Sequence, residues 1–352
     1  MKNIILNFDG TCNDPEDAGD FFEDSSISNI LKLHAFFGGK LSPLNEKSKE
    51  TKKQHSFYYS GVGTRGNWLQ KKFNSIFAPP EGDIDDILKQ AEIDLNKHYK
   101  DDDKIYIFGF SRGAAIARMF ASKCGEWNKE VEFLGVFDTV AATRGSLDLN
   151  PDTYPASGVV FENGTIGDHI NKAVHLVSVD EKRITFQPTL FNKDNRITEV
   201  WFAGVHSDIG GSYWFDGLSD ITLKFMMDFV RDDLQILTNE QLNYDDLKIQ
   251  GAQDCICWDD LNINPLPNGV LHEQKRKGIA AKTLSPRLVR VNKNDQPSLD
   301  NLDIPIIHHS VCERFSNVTS YRPYALRNKK FFVMQEDGTV DENPKFIGVA
   351  GL

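Results

Sequence analysis

The chain has 352 residues, 40% of them hydrophobic and 26% charged; that is apolar material for a sizeable core and excludes wholesale disorder. Asp plus Glu number 51 against 40 Lys plus Arg, a formal net charge of −11, which argues against a surface built to track nucleic-acid phosphates. Five scattered cysteines without paired CxxC spacing argue against a disulfide framework and fit a reducing compartment at synthesis. The N-terminal apolar run is too short for a signal peptide, and no stretch of about 18 apolar residues occurs, so the sequence predicts cytoplasmic synthesis and no membrane-spanning helix.

In chain order, KNIILNF reads as a buried strand that ends in the tight loop Asp9-Gly10-Thr11. Residues 26–37 carry apolar positions at helical spacing, 47–54 form a charged loop, and 56–64 read as a second strand. Residues 81–100 are the clearest helix, with Ile84, Ile87, Leu88, Ala91, Leu95 and Tyr99 on one face and acids crowding the first turn. IYIFGF (105–110) is a strand followed by a small-residue helix, and apolar runs recur at 131–137, 173–179 and 197–205 before a helical pattern over 217–237. Apolar strands alternating with helices predict an α/β fold, a mainly parallel sheet with helices on both faces. A single domain over 1–352 is expected, with lid-like insertions at 141–172 and 239–303; the second holds the basic run Lys275-Arg276-Lys277.

Gly109-Phe110-Ser111-Arg112-Gly113 lies between a strand and a helix, the context of a nucleophile elbow, where flanking glycines allow the sharp turn that exposes the serine hydroxyl. Such a serine needs a histidine base and an acid to orient it. Asp138, Asp180 and Asp208 each follow an apolar run and are candidate acids; His272, His308 and His309 are candidate bases downstream. His206 reads first as a structural histidine at a strand end, and second as a residue that positions the acid or is itself the base. The Arg112 N–H and the Gly10-Thr11 loop are the expected oxyanion donors, with Asp9 bracing that loop; the plainer reading of Asp9-Gly10-Thr11 is an Asx-type turn. Asp180-Glu181 with Lys182-Arg183 reads as an ion-paired loop. No HExxH-like spacing supports a metal, and no cofactor is expected.

Seven motifs occur in order: FDGTCN (8–13), YYSGVGT (58–64), GFSRGAAIAR (109–118), GVFDTV (135–140), VDEKR (179–183), WFAGVHSDIGGSY (201–213) and IHHSVCER (307–314). On these the chain resembles the DUF2235 family, the catalytic domain of Tle1-type phospholipase effectors of type VI secretion. The resemblance implies an α/β-hydrolase fold and phospholipase A-type cleavage of lipid esters through an acyl-enzyme. It implies Ser111 as nucleophile, Asp208 as acid and His308 as base with His309 second; Asp138 is the second choice for the acid, since some hydrolases take it from the strand directly after the nucleophile. It further implies a lipid substrate, peripheral membrane contact, a secretion adaptor or immunity protein as partner, and export by a type VI-like route. A soluble carboxylester is the alternative substrate, and a non-catalytic binding module on a hydrolase scaffold is the alternative of another class. Larger members carry an added docking module, whereas about 115 residues follow the helical pattern ending near 237 here.

Overall fold

A computed structural model gives the fold; the residues it describes are 1–10, 26–41, 53–61, 81–140, 165–248, 255–273, 282 and 284–346. The main sheet comprises β1 (Asn3–Phe8), β2 (Gln54–Tyr59), β3 (Lys104–Phe110), β4 (Val131–Phe137), β5 (Ala173–Ser178), β6 (Ile197–Phe202), β9 (Ile306–His308), β10 (Lys330–Met334) and β11 (Val340–Phe346). β7 (Asn292–Lys293) and β8 (Gln296–Pro297) form a separate small hairpin. The helices are α1 (Asn29–Phe36), α2 (Glu81–His98), α3 (Ser111–Glu126), α4 (His206–Gly210), α5 (Gly217–Val230) and α6 (His309–Asn317).

Strand order is β11-β10-β9-β6-β5-β4-β3-β1-β2. All neighbours run parallel except β10 and β11. Because strand side chains alternate, a strand apolar at every position needs cover on both sides. In β1, Ile4, Leu6 and Phe8 join Leu88 and Leu95 of α2 and Ala117 and Phe120 of α3. Ile5 points the other way, into a cluster with Ile30 and Leu33 of α1 and Leu223 and Met226 of α5. β3 repeats the pattern, Ile105 and Ile107 on the first side and Tyr106 and Phe108 on the second. This is the α/β-hydrolase layering.

β1 leads to β2 on one flank, while β3 pairs with the other flank of β1, Phe8 opposite Gly109. The loops leaving the C-terminal ends of β1 and β3 therefore diverge, and such a switch point is where α/β sheets leave a crevice.

Two sequence expectations change. The helix expected over 217–237 stops at Val230. Asp232 and Asp233 are unfavourable at a helix C-terminus, and the chain instead crosses to its neighbours, Leu237 N–H donating to the Phe36 carbonyl and Gln235 N–H to the Gln54 side chain. Of the expected insertions, 141–164 lie outside the described residues. The described part of 239–303 is largely short 3₁₀ turns and loop, and its Leu247, Ile256 and Leu261 pack into the core under α1 and α5. No described helix is long and apolar enough to cross a membrane.

Candidate active site

The turn from β3 into α3 has no connecting loop: Phe110 ends the strand and Ser111 begins the helix, at φ +57°. Its two flanking glycines are demanded by close packing. A Cβ on Gly113 would lie 2.2 Å from the Asp9 carbonyl oxygen, and one on Gly109 would lie 2.6 Å from the Gly113 carbonyl oxygen. Real Cβ atoms cannot sit there, so GxSxG is what lets α3 rest on β1 and β3 while the serine side chain turns out at the crevice.

Ser111 Oγ stands 2.8 Å from Nε2 of His206, and Nδ1 of His206 stands 2.5 Å from Oδ2 of Asp138. An ionised carboxylate only accepts, so Nδ1 carries the proton and donates, leaving Nε2 to accept from the serine hydroxyl. Asp138 follows β4 at φ +40° and is fully buried. Its Oδ1 accepts from the Ser178 N–H at 3.0 Å and from Arg287 at 2.6 Å, and its Oδ2 accepts from the second guanidinium nitrogen at 2.9 Å. Burial alone would raise this carboxyl, but Arg287 and His206 outweigh it and hold it well below the usual carboxylate range. Burial lowers the His206 pKa despite Asp138, so its imidazole is neutral at neutral pH. A neutral imidazole between a serine hydroxyl and a carboxylate is competent to take the serine proton.

His206 opens α4, and its ring packs against Phe110 and Phe186, with centroids 4.7 and 4.9 Å away. The His206 N–H donates to Glu181, whose carboxylate also binds the Arg183 guanidinium and is held down to about 2 against the penalty of burial. Asp180 next to it is pushed up to about 6 by burial, while accepting from Gly204 N–H and the Tyr321 hydroxyl.

The acid and base expected from the motif order are not brought together. Asp208 does not reach His308: its Oδ2 accepts from Val205 N–H at 2.9 Å, closing the turn that carries His206, and its Oδ1 meets Nδ1 of His272 at 2.5 Å. His308 lies at the end of β9, four strand positions from β3, about 19 Å at ordinary strand spacing. Its ring stacks on Phe202 at 4.5 Å and abuts Phe225, and its Nδ1 accepts from the Ser310 hydroxyl. His309 follows at the start of α6, its ring against His308.

Of the expected oxyanion donors, the Arg112 N–H belongs to the first turn of α3. Gly10 N–H donates to Asp9 Oδ1 at 2.6 Å, and Asp9 Oδ2 accepts from the hydroxyls of Ser28 and Tyr58, so Asp9 ties the β1 loop to α1 and β2. Thr11 lies outside the described residues. Among the described residues no cluster of three or more His, Cys, Asp and Glu could hold a metal. Arg287 was not anticipated; it is one arginine in an aperiodic stretch, and only its partner, a buried acid, marks it.

The chain is similar to several known proteins. The uncharacterized protein YEL023C of Saccharomyces cerevisiae is 32% identical over 133 residues, 34% of this chain and 17% of that protein. The solved structure of an uncharacterized protein from Pseudomonas aeruginosa is 20% identical, with a TM-score of 0.46 over 75% of this chain and 49% of that one. The structure of the Tle1 effector bound to the VgrG spike of the type 6 secretion system is 25% identical, with a TM-score of 0.40 over 60% of this chain and 51% of that one. The chain thus spans about half the length of the two solved relatives and far less of the yeast protein. The profile of the Tle1-like type VI secretion phospholipase effector catalytic domain matches residues 2–125 and 120–229, most of the chain, and the protein belongs to that family.

Proposed function

We propose that the protein is a serine hydrolase that cleaves carboxylic ester bonds of glycerophospholipids, with Ser111 as nucleophile, His206 as general base and Asp138 as the acid that orients it. The carrying observation is the unbroken relay from Ser111 Oγ through His206 to Asp138, at 2.8 and 2.5 Å. Ser111 attacks the ester carbonyl as Nε2 takes its proton. The tetrahedral intermediate, its oxyanion assigned to the Arg112 amide at the positive end of α3, collapses as His206 gives the proton to the leaving lysophospholipid alcohol; water, its proton taken by His206, then attacks the acyl-enzyme and releases the fatty acid. Family membership supports the lipid substrate, export by a type VI route and a partner in the secretion apparatus.

The test is release of fatty acid from mixed phospholipid vesicles, with and without chelator, alongside short-chain p-nitrophenyl esters. Ser111→Ala and His206→Gln should each lose about 10⁴-fold or more in kcat, and Asp138→Asn a comparable amount. His308→Gln should keep wild-type chemistry once corrected for the folded fraction. Release that survives Ser111→Ala, or that dies with His308→Gln and not His206→Gln, would refute this assignment. Turnover of the soluble esters with intact vesicles would move the substrate to small carboxylesters.

A further inference from the structure

Asp138 is buried beside a histidine that must stay basic, so whatever fixes its rotation and charge governs the base. The segment 284–289 delivers that control. Leu284 bridges to Arg183, Ser285 N–H donates to the Lys182 carbonyl, and Val289 is buried in the core between β5, β6 and β9. Between these anchors Arg287 reaches inward with a fully buried side chain. One guanidinium nitrogen donates to Asp138 Oδ1 at 2.6 Å and to the Ser178 carbonyl at 3.0 Å; the other donates to Asp138 Oδ2 at 2.9 Å and to the Phe186 carbonyl at 2.5 Å. Nε is buried and meets no acceptor among the described residues. The fork onto Asp138 is therefore held even though the guanidinium is not fully satisfied.

We propose that Arg287 is a positioning residue of the hydrolytic centre: its two-pronged grip sets the plane of the Asp138 carboxylate so that Oδ2 faces His206, and its charge offsets that of Asp138. This rests on the triad reading above. A planar fork matches a carboxylate in one orientation only. The same grip reaches His206 from a second side, because the Phe186 carbonyl that accepts from Arg287 belongs to the residue whose ring lies edge-on to the imidazole. The charge acts in a definite sense. His206 is faced by Asp138 from the end of β4, by Glu181 and Arg183 from beyond β5, and by Arg287 behind Asp138. Burial opposes imidazolium most, Asp138 and Glu181 favour it and Arg183 opposes it, while the Arg287 fork offsets the charge of Asp138. Removing Arg287 leaves that Asp138 charge uncompensated, so His206 should hold its proton to higher pH and be less available as a base.

Arg287→Met and Arg287→Lys test this. The readouts are the pH profile of kcat/KM on a p-nitrophenyl ester, the rate of fluorophosphonate labelling of Ser111, and the titration of His206 by ¹⁵N-histidine NMR, assigned against His206→Gln. Arg287→Met should lower kcat/KM about 10²-fold and move the acidic limb up by about one pH unit, with the His206 titration moving by the same amount. Arg287→Lys, which keeps the charge and loses the fork, should restore the limb and recover only part of the rate. A limb and a His206 titration both unmoved in Arg287→Met would overturn the proposal, as would a lysine variant no better than the methionine one. If Arg287→Met does not fold, the lysine variant decides alone: reduced rate with an unmoved limb supports the fork, and wild-type rate refutes it. The NMR titration needs no turnover. A wild type inert to esters and to the probe would sink the hydrolase reading, while the His206 shift would still report on Arg287.

Discussion

Ser111 and Asp138 both hold positive φ, +57° and +40°, a backbone that costs a non-glycine residue roughly 1–2 kcal/mol. Each is held there by its neighbours: Ser111 by the close approach of Gly113 to the Asp9 carbonyl, Asp138 by Ser178 and Arg287. The strain points both side chains at one imidazole. It also inverts the usual substitution order at the start of α3. Glycine in a helix ordinarily costs about 1 kcal/mol relative to alanine, but at Ser111 alanine keeps the strained φ and glycine does not. Ser111→Gly should therefore be more stable than Ser111→Ala by about 1 kcal/mol, both being inactive. Urea unfolding of the two proteins measures it, and an alanine variant of equal or greater stability would mean the serine is unstrained in solution.

At the scale of elements, α1 is buried along its whole length although it carries Asn29, Lys32 and His34. Lys32 pairs with Asp216 and Asp220, and Asn29 donates to the carbonyls of Ile209 and Ser219, which locks α1 to α4 and α5. His34 Nδ1 accepts from the Ser56 hydroxyl and Nε2 donates to the Lys40 carbonyl, and burial pushes its pKa down to about 4. The folded protein keeps this imidazole neutral while the unfolded chain takes up a proton near 6.5. Its stabilising contribution is therefore complete above about pH 6.5 and is lost as pH falls toward 4, a swing on the order of 3 kcal/mol. Asp180, raised to about 6, acts in the opposite sense over part of the same range. The difference between wild type and His34→Gln isolates the histidine: between pH 7 and 4.5 the wild type should lose urea stability more steeply, and parallel slopes would contradict this.

The same elements show what was legible in the sequence. β1, β3, β4 and β5 are buried on both faces, so each is a mostly apolar run broken only by single polar residues such as Asn7, Glu132 and His175, and composition marks it. The elbow was legible because its glycines are required by contact. The proposed base was legible only as the second reading of His206, because HSD places two ionisable residues two apart on one helical turn. Positions i and i+2 face away from each other, so His206 turns toward Ser111 and Asp208 toward His272. That turn begins at Gly204, whose φ of +115° and closeness to Asp208 are facts of the backbone, and motif order pointed instead to the histidines after β9.

For the whole molecule, the net charge of −11 bears on how a lipid surface is met. A cytoplasmic-type anionic leaflet carries a negative surface potential of about 30 mV, and its field reaches a protein over roughly a Debye length. A chain with this balance is repelled on approach unless a local basic patch reverses the sign, and Lys275-Arg276-Lys277 lies outside the described residues. Raising salt from about 0.01 M to about 1 M shortens the screening length from about 30 to about 3 Å. Hydrolysis of vesicles rich in anionic lipid should therefore speed up several-fold across that range, measured as initial fatty-acid release. Zwitterionic vesicles of the same acyl chains serve as the control for any effect of salt on apolar adsorption, and their rate should change little. A rate on anionic vesicles that falls with salt would mean that the basic stretch, and not the net charge, governs docking, and Lys275→Glu with Lys277→Glu should then reverse the salt dependence.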